Sequence, residues 1–133
     1  MLENYFEYSR NTVDACGELT IFADMKLEDA AARLEALGNP TRLKIYRALV
    51  RAGVEGMPVG RLQDKLDIAA STLSHHLKAL IGVGLVRQTR EGTTLNCHTN
   101  YDVMRRLLEY MVEECCAEGS CTAAGVITLP RVA

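Results

Sequence analysis

Apolar residues return every third or fourth position over several separate stretches, and the breaks between stretches set the element boundaries. Leu27, Ala30, Ala31, Leu34 and Leu37 fall at helical spacing, and Gly38 closes that run as a C-terminal cap would. Asn39-Pro40 opens a second helix, with Asn as N-cap and Pro at the first helical position. Leu43, Tyr46, Ala48, Leu49 and Val50 give it an apolar side; Arg42, Lys44, Arg47 and Arg51 give it charge. Gly53, Gly56 and Pro58 then interrupt the chain. A short helix is predicted over Val59–Leu66, turning Leu62 and Leu66 inward, and Asp67-Ile68-Ala69 forms a tight connection. The next helix runs from about Ala70 to Ile81 and is closed by Gly82 and Gly84. Its Leu73, Leu77 and Leu80 face the core, which leaves Ser71, Thr72, Ser74, His75 and Lys78 outside. Two short helices so joined, the second polar in its first turns, make a helix-turn-helix.

Leu85–Arg90 and Thr93–Thr99 read as strands, with Glu91-Gly92 as a two-residue hairpin turn. A hairpin directly after a helix-turn-helix is the wing of a winged helix, and its Arg87 and Arg90 can reach phosphates or the minor groove. A last helix begins after Asn100, where Met104, Leu107, Leu108, Met111, Val112 and Cys115 form an unbroken apolar stripe. No later element can cover that stripe, so it is expected to pack on its copy in a second subunit. The predicted fold is therefore mainly α, in the α+β class: a winged helix-turn-helix with a two-stranded wing and terminal dimerisation helices. Residues 1–24 read as an N-terminal arm, 25–117 as the DNA-binding and dimerisation domain, and 118–133 as an irregular tail.

Length and composition narrow the class. The 133 residues suit one domain with short extensions, and 5% aromatic content without Trp points to a core of Leu, Val, Ala and Met. The longest apolar stretch, Ala79–Val86, is too short to cross a bilayer. Met1–Arg10 lacks the basic start and apolar centre of a signal peptide, so a cytoplasmic protein without membrane contact is expected. The net charge of −2 disfavours nucleic acid until its distribution is examined. Residues 33–90 carry ten basic and four acidic side chains, whereas both flanks are acidic. A basic centre between acidic ends suits a nucleic-acid contact surface.

Three segments resemble one family. Ala36-Leu37-Gly38-Asn39-Pro40-Thr41-Arg42-Leu43 is similar to the second-helix signature of the ArsR/SmtB bacterial repressors. Ser71-Thr72-Leu73-Ser74-His75-His76-Leu77-Lys78-Ala79-Leu80 resembles their recognition helix. Gly84-Leu85-Val86-Arg87 with Arg90-Glu91-Gly92 resembles the entry to their wing. The likeness covers roughly Leu27 to Cys116, with the motifs in the correct order and spacing. It implies a homodimeric repressor, not an enzyme, that binds an inverted repeat in double-stranded operator DNA and leaves it when an inducer binds.

The major groove admits a helix and presents a distinct donor and acceptor pattern for each base pair. Thr72 and His75 are assigned to base contacts; Ser71, Ser74, Lys78, Arg87 and Arg90 mostly to the backbone. His76 matches a family histidine, but lies nearer the seam between helix and body, where a structural role competes.

The five cysteines, an odd set in a reducing compartment, point to metal, metalloid or redox chemistry rather than disulfides. In the family the arsenic site is a Cys-x-Cys pair on the first helix of the helix-turn-helix; here that segment reads Pro58-Val59-Gly60-Arg61-Leu62-Gln63-Asp64, without a thiol. Zinc-sensing members use His and carboxylates on the last helix, and no His falls between Tyr101 and Cys116. What remains is Cys115-Cys116 with Cys121, three thiols without His, a set suited to soft trivalent arsenic or antimony. Cys97, on a strand face with Leu95 and expected toward the last helix, can instead join Cys115 or Cys116 in a two-thiol site for methylarsenite. Alone, Cys97 also reads as a small buried apolar residue, and Cys16 in the arm more so. The inducers expected are thus As(III), Sb(III) or methylarsenite, with no permanent cofactor. A redox- or persulfide-responsive regulator using the same cysteines is the alternative, although acidic Glu113, Glu114 and Glu118 disfavour a hyper-reactive thiolate. No phosphate-cradling Gly loop or nucleophile elbow supports an enzyme.

Overall fold

A computed structural model describes residues 25–114 together with 118 and 119. The order is α1 (Leu27–Leu37), α2 (Pro40–Ala52), β1 (Met57–Pro58), α3 (Val59–Leu66), α4 (Ala70–Gly82), β2 (Val86–Glu91), β3 (Thr94–Thr99) and α5 (Tyr101–Val112). The arm, the tail beyond residue 119, and Cys16, Cys115, Cys116 and Cys121 lie outside the described residues.

The helix starts follow local chemistry. Asn39 Oδ1 accepts from the backbone N–H of Thr41 at 3.0 Å and of Arg42 at 3.1 Å, which caps α2, and Pro40 occupies the first turn. Asn100 caps α5 through Val103 N–H at 3.4 Å. The end of α4 closes by paired bonds, Gly84 N–H to Ile81 O at 3.0 Å and Leu85 N–H to Leu80 O at 3.1 Å. Leu85 is thereby spent on the helix terminus, so β2 starts one residue later than the expected strand.

The core gathers Ile45, Leu49, Leu62, Leu73, Leu77, Leu80, Leu85, Val86 and Leu107. Each such side chain stabilises the fold by about 1.5–3 kcal/mol relative to an exposed one. On α1 the inward positions are Ala30, Arg33 and Ala36, while Leu27 and Leu34 are exposed. Small residues let α1 approach α2 and α4 closely; Leu27 and Leu34 of the expected stripe point out, whereas Leu37 packs partly buried against the core. Buried Arg33 donates from Nε to Val83 O at 3.0 Å, and Arg42 donates from Nε to Ala36 O at 2.6 Å. These two cations tie helix ends together.

The sheet differs from a simple two-stranded wing. β3 is central, with β2 on one side and the short β1 on the other, in the order β1-β3-β2 and antiparallel throughout. Met57 pairs with Cys97 and Pro58 with Asn96. β1 has no signal in the sequence, because two residues carry no period and Pro58 signals a break; an edge position tolerates its missing N–H. Glu91 pairs with Thr94, so the hairpin loop is Gly92-Thr93, one residue later than expected. α5 packs on α1 through buried Leu107 and is tethered by Tyr101, whose hydroxyl donates to Val50 O at 2.9 Å. Leu108 and Met111 remain exposed on its outer side. Among the described residues no helix is long and apolar enough to cross a membrane.

Candidate nucleic-acid interface

α3 and α4 are joined by Asp67, Ile68 and Ala69, with Asp67 in the left-handed conformation at φ 51°. Asp is among the few side chains that adopt this geometry at modest cost. α4 then buries Leu73, Leu77 and Leu80 against the body. That anchoring forces Ser71, Thr72, Ser74, His75 and Lys78 outward, and all five are exposed. The N-terminus of α4 carries no side-chain cap at Ala69, so its first N–H groups are free to meet an anion. A short helix with hydroxyls, an imidazole and an ammonium on one face, ending in unsatisfied donors, presents what a duplex groove and its phosphates require.

His76 sits at the seam. It is half-buried, and its Nδ1 is buried without a hydrogen-bond partner among the described residues. Desolvation first, then His75 and Arg42, pushes its pKa below the ordinary histidine value. The His75 and His76 rings meet edge to face with centroids 5.5 Å apart. Of the two histidines, His75 is the exposed one.

Arg87 and Arg90 are both exposed on β2. Three residues apart on a strand of period two, they leave the wing from opposite faces. Arg87 pairs with His98 and Arg90 with Leu95. The root of the wing is bound to the α2–α3 connection: His98 Nδ1 donates to Val54 O at 3.2 Å, and Asn96 Nδ2 donates to Glu55 O at 3.0 Å. That bond fixes the tautomer, leaving Nε2 to accept from Thr89 Oγ1 at 3.0 Å. Gly56 makes the approach feasible. At φ +73°, a Cβ there would strike the Cys97 carbonyl and lie 2.6 Å from His98 Nδ1. Sequence spacing marks Gly56 only as a break, because its partners Cys97 and His98 lie some forty residues away.

Cys97 is fully buried, as its inward aim on β3 predicts, and α2 and α3 are among the helices that contact this strand. Burial raises its thiol pKa, and the bond from Gln88 Nε2 to Sγ at 3.4 Å opposes this in part. Among the described residues no group of three or more His, Cys, Asp or Glu side chains is placed to hold a metal ion.

A helix-turn-helix followed by a hairpin, with a polar-faced second helix, defines a winged-helix DNA-binding protein. Residues 37–89 match the helix-turn-helix domain family. The chain is 41% identical over 68 residues to an uncharacterised HTH-type transcriptional regulator of Methanocaldococcus jannaschii, covering 51% of this chain and 74% of that one. It is also 41% identical over 66 residues to a protein of Halobacterium salinarum described as a candidate arsenical resistance operon repressor ArsR, covering 50% of each. Among solved structures, NolR of Sinorhizobium fredii superposes with a TM-score of 0.51 at 34% identity, over 66% of this chain and 85% of that one. The homodimeric winged helix-turn-helix domain of Mb0332 from Mycobacterium bovis, a candidate ArsR-family regulator, gives 0.54 at 26%, over 72% and 89%. The chain belongs to the HTH-type transcriptional regulators, and its winged-helix fold is similar to that of ArsR-family members. Its relatives are regulators of transcription rather than enzymes.

Proposed function

We propose that this regulator is a homodimeric repressor that binds an inverted-repeat operator and releases it when a trivalent arsenical or antimonite binds cysteine thiolates. The observation that carries the DNA half is the exposed polar face of α4, with Thr72 and His75 reading base edges and Ser71, Ser74, Lys78, Arg87 and Arg90 holding the backbone. His76, half-buried beside Arg42, supports that face from behind. Pairing is supported by exposed Leu27 and Leu34 on α1, by exposed Leu108 and Met111 on α5, which contacts α1, and by a homodimeric structural neighbour.

The inducer half rests on ligand chemistry. Cys115, Cys116 and Cys121 offer three thiols without imidazole, the set that soft trivalent arsenic and antimony favour, and one relative is named for arsenical resistance. Cys97 is a poor fourth member: it is fully buried, and burial opposes the thiolate that ligation needs. An inducer acts only to the extent that it prefers the DNA-free dimer shape.

Gel shift with a fragment from upstream of the protein's own gene tests both halves. Arsenite, antimonite or methylarsenite at low micromolar concentration is expected to release the fragment. Cys115→Ser and Cys116→Ser are expected to bind DNA but not let go. Release by persulfide or peroxide alone, with arsenite ignored, would replace the inducer by redox chemistry at the same cysteines. Absence of salt-dependent DNA binding would remove the repressor reading altogether.

A further inference from the structure

The outer side of α2 carries a groove that DNA reading does not use. Pro40, Leu43, Lys44, Arg47, Ala48 and Arg51 fall at successive turns of one helix face, and Lys65 and Leu66 at the end of α3 form the opposite wall. The groove holds about 470 Å³, within the range of roughly 300–1,000 Å³ for small-molecule sites. Pro40, Leu43, Ala48 and Leu66 make an apolar floor, and Leu43 is 42% exposed there. Leu66 is half-buried: it packs against the core, as expected, and also lines this groove.

Four cations surround that floor, and no acidic side chain lines it. Among the described residues Lys44, Arg47, Arg51 and Lys65 have no side-chain hydrogen-bond or ion-pair partner; the ion pair present there is Arg105 with Glu109 on α5. Their methylene stems extend the apolar walls while their charged heads stay at the rim. From Pro40 to Arg51 the lining face of α2 runs about 16 Å at ~1.5 Å per residue, room for an extended chain. An apolar trough edged by positive charge complements an extended hydrocarbon bearing one anionic head. A DNA backbone matches the cations, but offers nothing to cover Leu43 and Leu66.

We infer that the groove between α2 and α3 binds a single-chain fatty-acid carboxylate, its chain along Leu43, Ala48 and Leu66 and its head held by Arg47 and Arg51. This goes beyond the repressor reading and does not depend on it, since binding is measured without DNA.

Isothermal titration of the full chain with dodecanoate, below its micelle concentration, is the test. One dodecanoate per chain is expected, at least tenfold tighter than dodecyltrimethylammonium, which has the same tail and the opposite charge. The double variant Arg47→Glu/Arg51→Glu and, separately, Leu43→Asp should each weaken binding at least tenfold. All three sites are exposed, and unchanged helical circular dichroism checks the fold of each variant. Equal binding of the two amphiphiles, or variants that bind dodecanoate like the parent, would overturn the assignment. So would absence of dodecanoate binding with a reduced salt dependence of operator binding in the Arg47/Arg51 variant; the stripe would then hold DNA phosphates.

Discussion

Replacing Gly56 by Ala probes the junction that holds the wing to the body. Two costs add. An L side chain in the left-handed region costs about 1–2 kcal/mol. The new Cβ would also strike the Cys97 carbonyl and approach His98 Nδ1 to 2.6 Å. A backbone carbonyl in a paired strand cannot swing aside as a flexible side-chain end can, so relief requires β1 to separate from β3. Overpacking of this kind costs about 1–3 kcal/mol. The expected loss is therefore about 2–5 kcal/mol, a large share of the ~5–15 kcal/mol that holds a domain folded. Gly92→Ala is the internal control. Its φ is +64°, but nothing lies within 4 Å of the added Cβ, so only the conformational cost of about 1–2 kcal/mol applies. Urea unfolding followed by circular dichroism gives both numbers, with unchanged slopes showing that the transition is the same. A His98→Ala background should recover only part of the Gly56→Ala loss, because the carbonyl clash remains. Equal losses at Gly56 and Gly92 would refute the idea that close packing, rather than backbone angle, fixes this position.

Other outcomes follow from the same geometry. His75→Ala should cost about 1–3 kcal/mol of operator binding and relax preference at one base pair, whereas Lys78→Ala should weaken all sequences alike and lower the salt slope by about one; competition binding with single-base operator variants at several salt concentrations separates the two. His76 has its pKa lowered in the folded state, so the unfolded chain takes up its proton first as pH falls; stability should decline from about pH 6.5 downward, and His76→Gln should flatten that part of a urea-midpoint-against-pH profile. Cys97 is buried with a raised thiol pKa, so a thiol reagent should label it slowly in the native protein and at once in denaturant; a Cys97→Ser variant identifies its share of the labelling, and rapid native labelling would contradict the sealed core.

Much of the architecture was legible in sequence because its signals are local. Asn39-Pro40 announces α2, the leucine triplet at 73, 77 and 80 fixes which side of α4 turns outward, and Gly92 between polar strand residues marks the hairpin. Features that depend on distant partners were not legible. Ile45 is fully buried, whereas Leu43, two residues earlier and equally apolar, lines an open groove; only the position of α3 decides between them. Arg33 and Arg42 count toward a basic stretch in the sequence, yet both donate to backbone carbonyls at helix ends, which leaves less charge for DNA than the tally suggests. β1 exists because β3 offers it an edge, where Met57 pairs with Cys97.

The stitching of His98 and Asn96 to the carbonyls of Val54 and Glu55 has a mechanical consequence. With its base fastened to the stretch leading into α3, the hairpin has no independent hinge: helix pair and hairpin turn together, as one jaw of a calliper. In the dimer proposed above, an inducer would then have little to gain by bending a jaw, and would alter grip by changing the opening between two rigid ones.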